Sequence, residues 1–93
     1  MNTNVKALAA LQNHANFFEL YQVTTFTGYR KTKQGDNQEV SVDLLDRGPD
    51  HPSARYTVTA TAKDGRSAGG NDSASIEEAI AIVHWYKLDA PPE

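Results

Sequence analysis

The hydrophobic repeat of this chain changes from a helical period to a strand period at Gln22, and this change constrains the fold more than any other feature. From Gln22 to residue 32, β-branched and aromatic residues alternate with other residues, which is typical of a strand. Before Gln22, apolar residues recur at steps of three and four, as on one buried face of a helix: Val5, Leu8, Leu11, Ala15 and Phe18. We therefore predict a helix over residues 4–20 followed by a sheet.

Turn-forming residues divide the region 22–70 into short antiparallel strands. Residues 34–37 contain glycine and Asx residues that tolerate a turn, and a second strand is predicted over residues 39–46. The clearest alternation follows at residues 56–62. Asp64-Gly65 is a favoured hairpin turn and leads into a short return strand over residues 66–70. The expected sheet has three to four strands.

A second helix is predicted over residues 75–88. Ser75 with Glu78 three residues later has the form of a capping box, and two apolar stripes follow on the helix. Residues 89–93 contain two prolines and are expected to form a mobile tail. The predicted fold is a single α+β domain over residues 1–93, in the order α-β-β-β-β-α, with both helices packed on one face of an antiparallel sheet.

Composition excludes several classes of function. The chain has 93 residues, no cysteine and a net charge of −3, so disulfides and thiolate metal sites are excluded and general attraction to nucleic acid is weak. No apolar run is long enough to predict a membrane span, and the polar start Met1-Asn2-Thr3-Asn4 does not predict a signal peptide. We expect a cytoplasmic protein.

From about residue 38 to residue 88, the chain resembles a double-stranded-RNA-binding domain. The similarity lies in a Gly-Pro-x-His loop, a strand with an aromatic residue near its start, a glycine hairpin, a glycine-rich return and a following helix. The matching residues are Gly48-Pro49-Asp50-His51, Tyr56-Thr57-Val58-Thr59, Asp64-Gly65, Gly69-Gly70 and Ser75-Ile76-Glu77-Glu78-Ala79-Ile80. The resemblance implies a related α+β scaffold.

One departure from the family alters the functional expectation. At the start of the last helix the family carries lysines that contact phosphates, whereas this chain has Ile76, Glu77 and Ile80. Phosphate neutralisation dominates such binding, so this loss predicts weak affinity for duplex RNA. Domains of this kind that have lost RNA binding are typically used for protein contacts.

The residual candidates for nucleic-acid binding lie in two places. His51 matches the family histidine that reaches a minor-groove hydroxyl; the alternative is an ordinary exposed histidine in a loop stiffened by prolines. Arg30, Lys31 and Lys33 form a basic cluster beside Tyr29, which could follow a single strand and stack one base. The alternative for this cluster is a charged strand edge that resists aggregation.

Trp85, Ile82 and Tyr86 are the candidate partner-binding residues. They lie on the second apolar stripe of the predicted helix or beside it, and aromatic residues are enriched at interface hot spots. The alternative is that Trp85 packs against Phe17 and Phe18 at the end of the first helix.

Catalysis is poorly supported, and no cofactor or metal is predicted. The three histidines lie in separate elements without ligand spacing, and no nucleophile or phosphate-loop motif occurs. The sequence predicts a non-catalytic binding module that acts through a protein partner or as a homodimer, of adaptor or inhibitor type, for example a phage-type inhibitor of a host nucleic-acid machine. The alternative is a nucleic-acid-binding protein that uses His51 and the basic cluster.

Overall fold

The computed structural model describes residues 3–17 and 20–89 and contains four strands and three helical segments. The predicted α+β class, antiparallel sheet and order of elements are confirmed. In chain order the elements are α1 (Thr3–Ala15), β1 (Gln22–Lys31), β2 (Asn37–Asp46), β3 (Tyr56–Ala62), β4 (Ser67–Gly69), α2 (Ile76–Ala81) and a 3₁₀ helix (Trp85–Leu88). Among the described residues, no helix is long and apolar enough to cross a membrane.

The sheet is a meander in which each strand pairs with the next, in the order β1-β2-β3-β4. Val42, in the middle of β2, lies opposite Phe26 of β1 and Ala60 of β3. The β1–β2 hairpin closes with Thr32, whose N–H donates to the Asp36 carbonyl at 2.9 Å. Gly35 in this turn has φ of 90°, a left-handed conformation that glycine adopts without steric cost.

The buried core lies on one face of β2, β3 and β4, beneath α2 and the 3₁₀ helix. Half of its fully buried apolar residues are alanines, so the core is thin. Its members among the described residues are Val40, Val58, Ala60, Ala62, Ala68, Ala79, Val83 and Leu88. Val42, Leu44, Tyr56 and Trp85 are partly buried against it.

The first helix is shorter and more exposed than the sequence predicts. It ends at Ala15 rather than residue 20, and Asn16 follows with φ of 58°, the left-handed geometry that ends many helices. Leu11, expected on a buried face, is 47% exposed, and Ala15 is also exposed. Leu8 is half-buried. The side chains of Val5 and Phe18, placed on the same predicted stripe, lie outside the described residues.

The single helix predicted over residues 75–88 is wrong, because the chain leaves the helical conformation after α2. The Ser75 hydroxyl caps the helix by accepting the Glu78 N–H at 3.1 Å, as the capping box predicts. Six residues after Glu78, the His84 N–H donates to the Gly69 carbonyl of β4 at 3.1 Å and not to Ile80 within the helix. This bond to the sheet separates α2 from the 3₁₀ helix. The predicted tail beyond Asp89 lies outside the described residues.

The short helical segments determine which part of the sheet is covered. Six residues of α2 span about 9 Å, whereas four strands are about 14 Å wide across their axes. Helical contacts fall on β3 and β4, and every residue from Val23 to Tyr29 of β1 is exposed. The core face of the sheet therefore continues onto β1, where none of the described elements covers it.

Candidate functional site

Large apolar side chains that the core does not use form two exposed surfaces on the sheet and the last helices. We name the first the β1 surface; it comprises both faces of β1, with Phe26 on the core side and Val23 and Tyr29 on the outer side. The second is the α2 surface, which consists of Ile76, Ile80 and Tyr86. All six side chains are exposed, whereas small alanines occupy much of the interior. Monomeric domains rarely expose large apolar patches without an interaction role.

The 3₁₀ helix carries two of the three predicted partner-binding residues, and the structure gives them different environments. Trp85 is half-buried against the core, and its indole Nε1 donates to the Ile80 carbonyl at 2.9 Å. Tyr86 is 62% exposed, and its ring lies 5.8 Å from that of His84. Ile82 ends α2 and is half-buried. Trp85 thus anchors the segment, while Tyr86 presents its ring to solvent.

Helical spacing puts Ile76 and Ile80 on one apolar stripe with Ala79 and Val83, so the periodicity did not reveal that the two isoleucines are exposed. Only Ala79 and Val83 are buried. A signal was nevertheless present in the sequence. The resembled family has phosphate-contacting lysines at these two isoleucine positions, and such lysines must face outward.

On the outer face of the sheet, β1 and β2 are joined by a ladder of side-chain hydrogen bonds. The Thr25 hydroxyl donates to Asp43 at 2.6 Å, and the Tyr29 hydroxyl donates to Glu39 at 2.8 Å. The Glu39 bond and charge raise the pKa of Tyr29. Tyr29 keeps its ring in solvent and is 79% exposed. A groove of about 440 Å³ runs beside it, lined by Tyr29, Asn37, Gln38, Glu39, Lys63 and Asp64.

The predicted basic cluster is divided between two faces of the β1–β2 hairpin. Arg30 is half-buried and donates to Gln38 Oε1 at 2.8 Å; its Nη1 also lies 3.1 Å from Asp89 Oδ1. Lys31 Nζ donates to Asn37 at 3.2 Å, and the backbone N–H of Lys33 donates to Asp89 at 3.1 Å. Arg30 therefore has a structural role, and the cluster does not present three cations on one surface.

His51 is exposed in the β2–β3 loop, away from the basic cluster in the chain. Its backbone N–H donates to the Gly48 carbonyl at 3.2 Å, and its carbonyl accepts the Ala54 N–H at the same distance. Nearby, Arg55 pairs with Asp46 at 2.7 Å. Partial burial raises the pKa of Asp46, but bonds from Arg55 and the Gly48 N–H outweigh it, so the pKa lies below its usual value.

Within residues 3–17 and 20–89, no group of three or more histidine or carboxylate side chains is placed to hold a metal ion. Comparison of the chain with protein-family models, with curated proteins and with solved structures finds no match.

Proposed function

We propose that this chain is a small non-catalytic binding module that acts in the cytoplasm through protein–protein contacts. The observation that carries the proposal is the distribution of apolar side chains. Phenylalanine, tyrosine and isoleucine lie in solvent on the β1 and α2 surfaces, while alanines make up half of the buried apolar residues of the described chain. Burying such side chains against a partner contributes about 1.5–3 kcal/mol for each one that is fully covered.

The charges on the molecule support protein contacts over phosphate contacts. Glu77 and Glu78 lie in the first turn of α2, between the exposed Ile76 and Ile80. Arg30 and Arg55 are engaged by Asp89 and Asp46. A phosphate backbone at α2 would meet Glu77 where the resembled family has a lysine, with Glu78 beside it, and phosphate contacts dominate nucleic-acid affinity. The α2 surface instead suits a partner that offers apolar side chains and a basic rim, as an adaptor or inhibitor contact.

The test combines partner capture with nucleic-acid binding. Immobilised wild type and an Ile80→Glu/Tyr86→Glu variant are each exposed to nuclease-treated cell extract. The control is Thr59→Glu, because the Thr59 side chain is exposed on the face of the sheet opposite the core. We expect a protein that wild type and the control retain and the double variant loses. The same preparations are titrated with duplex RNA, single strands and DNA at low and moderate salt. Micromolar RNA affinity that falls steeply with salt and is unchanged in the double variant would overturn the proposal.

A further inference from the structure

The free edge of β1 is the longest unpaired backbone in the described sheet. Only β1 and β4 have an edge without a neighbouring strand. β4 has three residues, and its Gly69 carbonyl is already occupied by the His84 N–H. β1 has ten residues, and all side chains from Val23 to Tyr29 are exposed. Long exposed edges are templates for pairing with another chain.

The hairpin hydrogen bonds show which backbone groups face this edge. Thr32 directs both its N–H and its carbonyl toward the β2 side of the turn, to Asp36 and Gly35. Backbone N–H and carbonyl groups point to alternate sides along a strand. The odd-numbered residues of β1 therefore direct these groups toward the free edge. The alternation along β2 is consistent with this assignment, because the Glu39 carbonyl accepts the Lys63 N–H on the β3 side. The groups available at the edge belong to Val23, Thr25, Thr27 and Tyr29.

We propose that two copies of this chain pair through β1, antiparallel and about a two-fold axis at Phe26, to form one eight-stranded sheet. The inference rests on the proposed function, because it names the partner of the β1 surface as a second copy. In this register the edge groups of Val23 meet those of the second copy's Tyr29, and those of Thr25 meet Thr27. The two-fold axis repeats each pairing, so four pairs exchange about eight hydrogen bonds.

Side chains distinguish this register from its neighbours. Phe26, 59% exposed, faces its own copy across the axis, and exposed Val23 lies beside Tyr29. Aromatic–aromatic and aromatic–β-branched pairs are the favourable cross-strand pairs. A shift by two residues in one direction places Phe26 opposite Gly28 and Val23 opposite Lys31. The opposite shift places Phe26 opposite Thr24. Only the register centred on Phe26 pairs the exposed apolar side chains with one another.

Charge also favours a second copy in this orientation. Arg30 lies opposite uncharged Gln22, so no like charges meet across the edge. The two Arg30 positions lie at opposite ends, separated along the strands by about 27 Å, well beyond the Debye length of about 8 Å at physiological salt. The cations that would oppose parallel pairing of β1 with itself are therefore separated in the antiparallel arrangement.

Sedimentation and light scattering of the purified protein test the pairing. We expect a dimer for wild type, a monomer for Phe26→Lys, which places two cations on the axis, and a dimer for the control Tyr86→Lys. Tyr86 is as exposed as Phe26 but lies on the α2 surface. Monomeric wild type would overturn the inference, and so would a dimer that Tyr86→Lys dissociates and Phe26→Lys does not. Circular dichroism checks that each variant keeps its strands.

Cross-linking tests the register without relying on loss of folding. The chain has no cysteine, so Phe26→Cys introduces one thiol per copy. At the axis the two Cα atoms would lie about 4.5 Å apart, within disulfide range. The control Gly28→Cys lies on the same strand and face, with open space around its Cβ position, but its two copies would be about 14 Å apart along the strands. We expect mild oxidation to link Phe26→Cys at least about tenfold faster than Gly28→Cys; equal rates would overturn the register.

These outcomes separate the inference from the proposed function. A monomer that still retains a partner through Ile80 and Tyr86 overturns the β1 pairing alone. Salt-sensitive RNA binding that is independent of the α2 surface overturns the proposed function, whatever the cross-linking shows.

Discussion

Arg30 Nη1 lies 3.1 Å from Asp89 Oδ1, so the end of β1 holds the residue that follows the 3₁₀ helix. Gln38 completes the connection. Its Oε1 accepts from Arg30 at 2.8 Å, and its Nε2 donates to the Leu88 carbonyl at 2.9 Å. Leu88 is fully buried. A polar network therefore positions the segment that closes the core, and this explains why the basic cluster is not wholly available to a ligand.

Gln38→Leu is expected to destabilise the protein by about 1–3 kcal/mol, because a buried group left without its hydrogen bond retains its desolvation cost. Gln38 is 3% exposed, so water cannot readily replace it. Urea unfolding measures the change. Asn37→Ala, at the exposed neighbouring position, is the control and should remain within about 0.5 kcal/mol of wild type. Equal stability of the two variants would contradict this role for Gln38.

Acid is expected to weaken the Arg30–Asp89 connection. The Arg30 hydrogen bond, with the Lys33 N–H and the nearby positive charges, holds the pKa of Asp89 below its usual value. A carboxyl with a lowered folded pKa contributes its full stability above the unfolded pKa of about 3.9, and loses it as pH falls through the folded pKa.

Asp89→Asn should therefore reduce the loss of stability between about pH 5 and the acid range, measured by urea unfolding at each pH. It should not abolish that loss, because Asp46 and Asp72 also have lowered pKa values. Asp50→Asn, at an exposed loop position, is the control. A pH profile unchanged by Asp89→Asn would show that the connection contributes nothing to acid stability.

Gly70→Ala is expected to cost about 1–3 kcal/mol, in the range of overpacked sites. A Cβ at residue 70 would lie 3.0 Å from the Ile82 carbonyl oxygen and 3.2 Å from Val83 Cα, and these backbone atoms cannot rotate away. At Gly69 the nearest atom would be 3.9 Å away, so Gly69→Ala should be tolerated. Thermal unfolding compares the pair; the reverse order of stability would contradict the close approach of the sheet to the end of α2.

Leu88→Ala and Leu11→Ala test where the core ends. Leu88 is fully buried, and its truncation should cost about 2–5 kcal/mol. Leu11 is 47% exposed on α1, so its truncation should change the stability by less than about 0.5 kcal/mol. Denaturant unfolding of both variants gives the comparison. A large loss for Leu11→Ala would mean that α1 packs as a core helix.

Local patterns predicted the strands well and the helices less well. Alternation over residues 56–62 matches β3, and the Ser75 cap starts α2 as expected. The helix predicted over residues 75–88 breaks because the sheet accepts the His84 N–H, an interaction between distant parts of the chain. The periodicity could not distinguish the anchored ring of Trp85 from the exposed ring of the adjacent Tyr86, because their environments depend on where the helix breaks.

The sequence by itself determined the α+β class, the antiparallel strands and the turns, because periodicity, capping and turn chemistry act between residues close in the chain. Only the tertiary structure decided which apolar side chains are covered. Two short helical segments reach β3 and β4 but not β1, so Phe26 remains in solvent although it lies on the core face of the sheet. Coverage depends on the reach and packing of distant elements, and a local repeat carries no information about either.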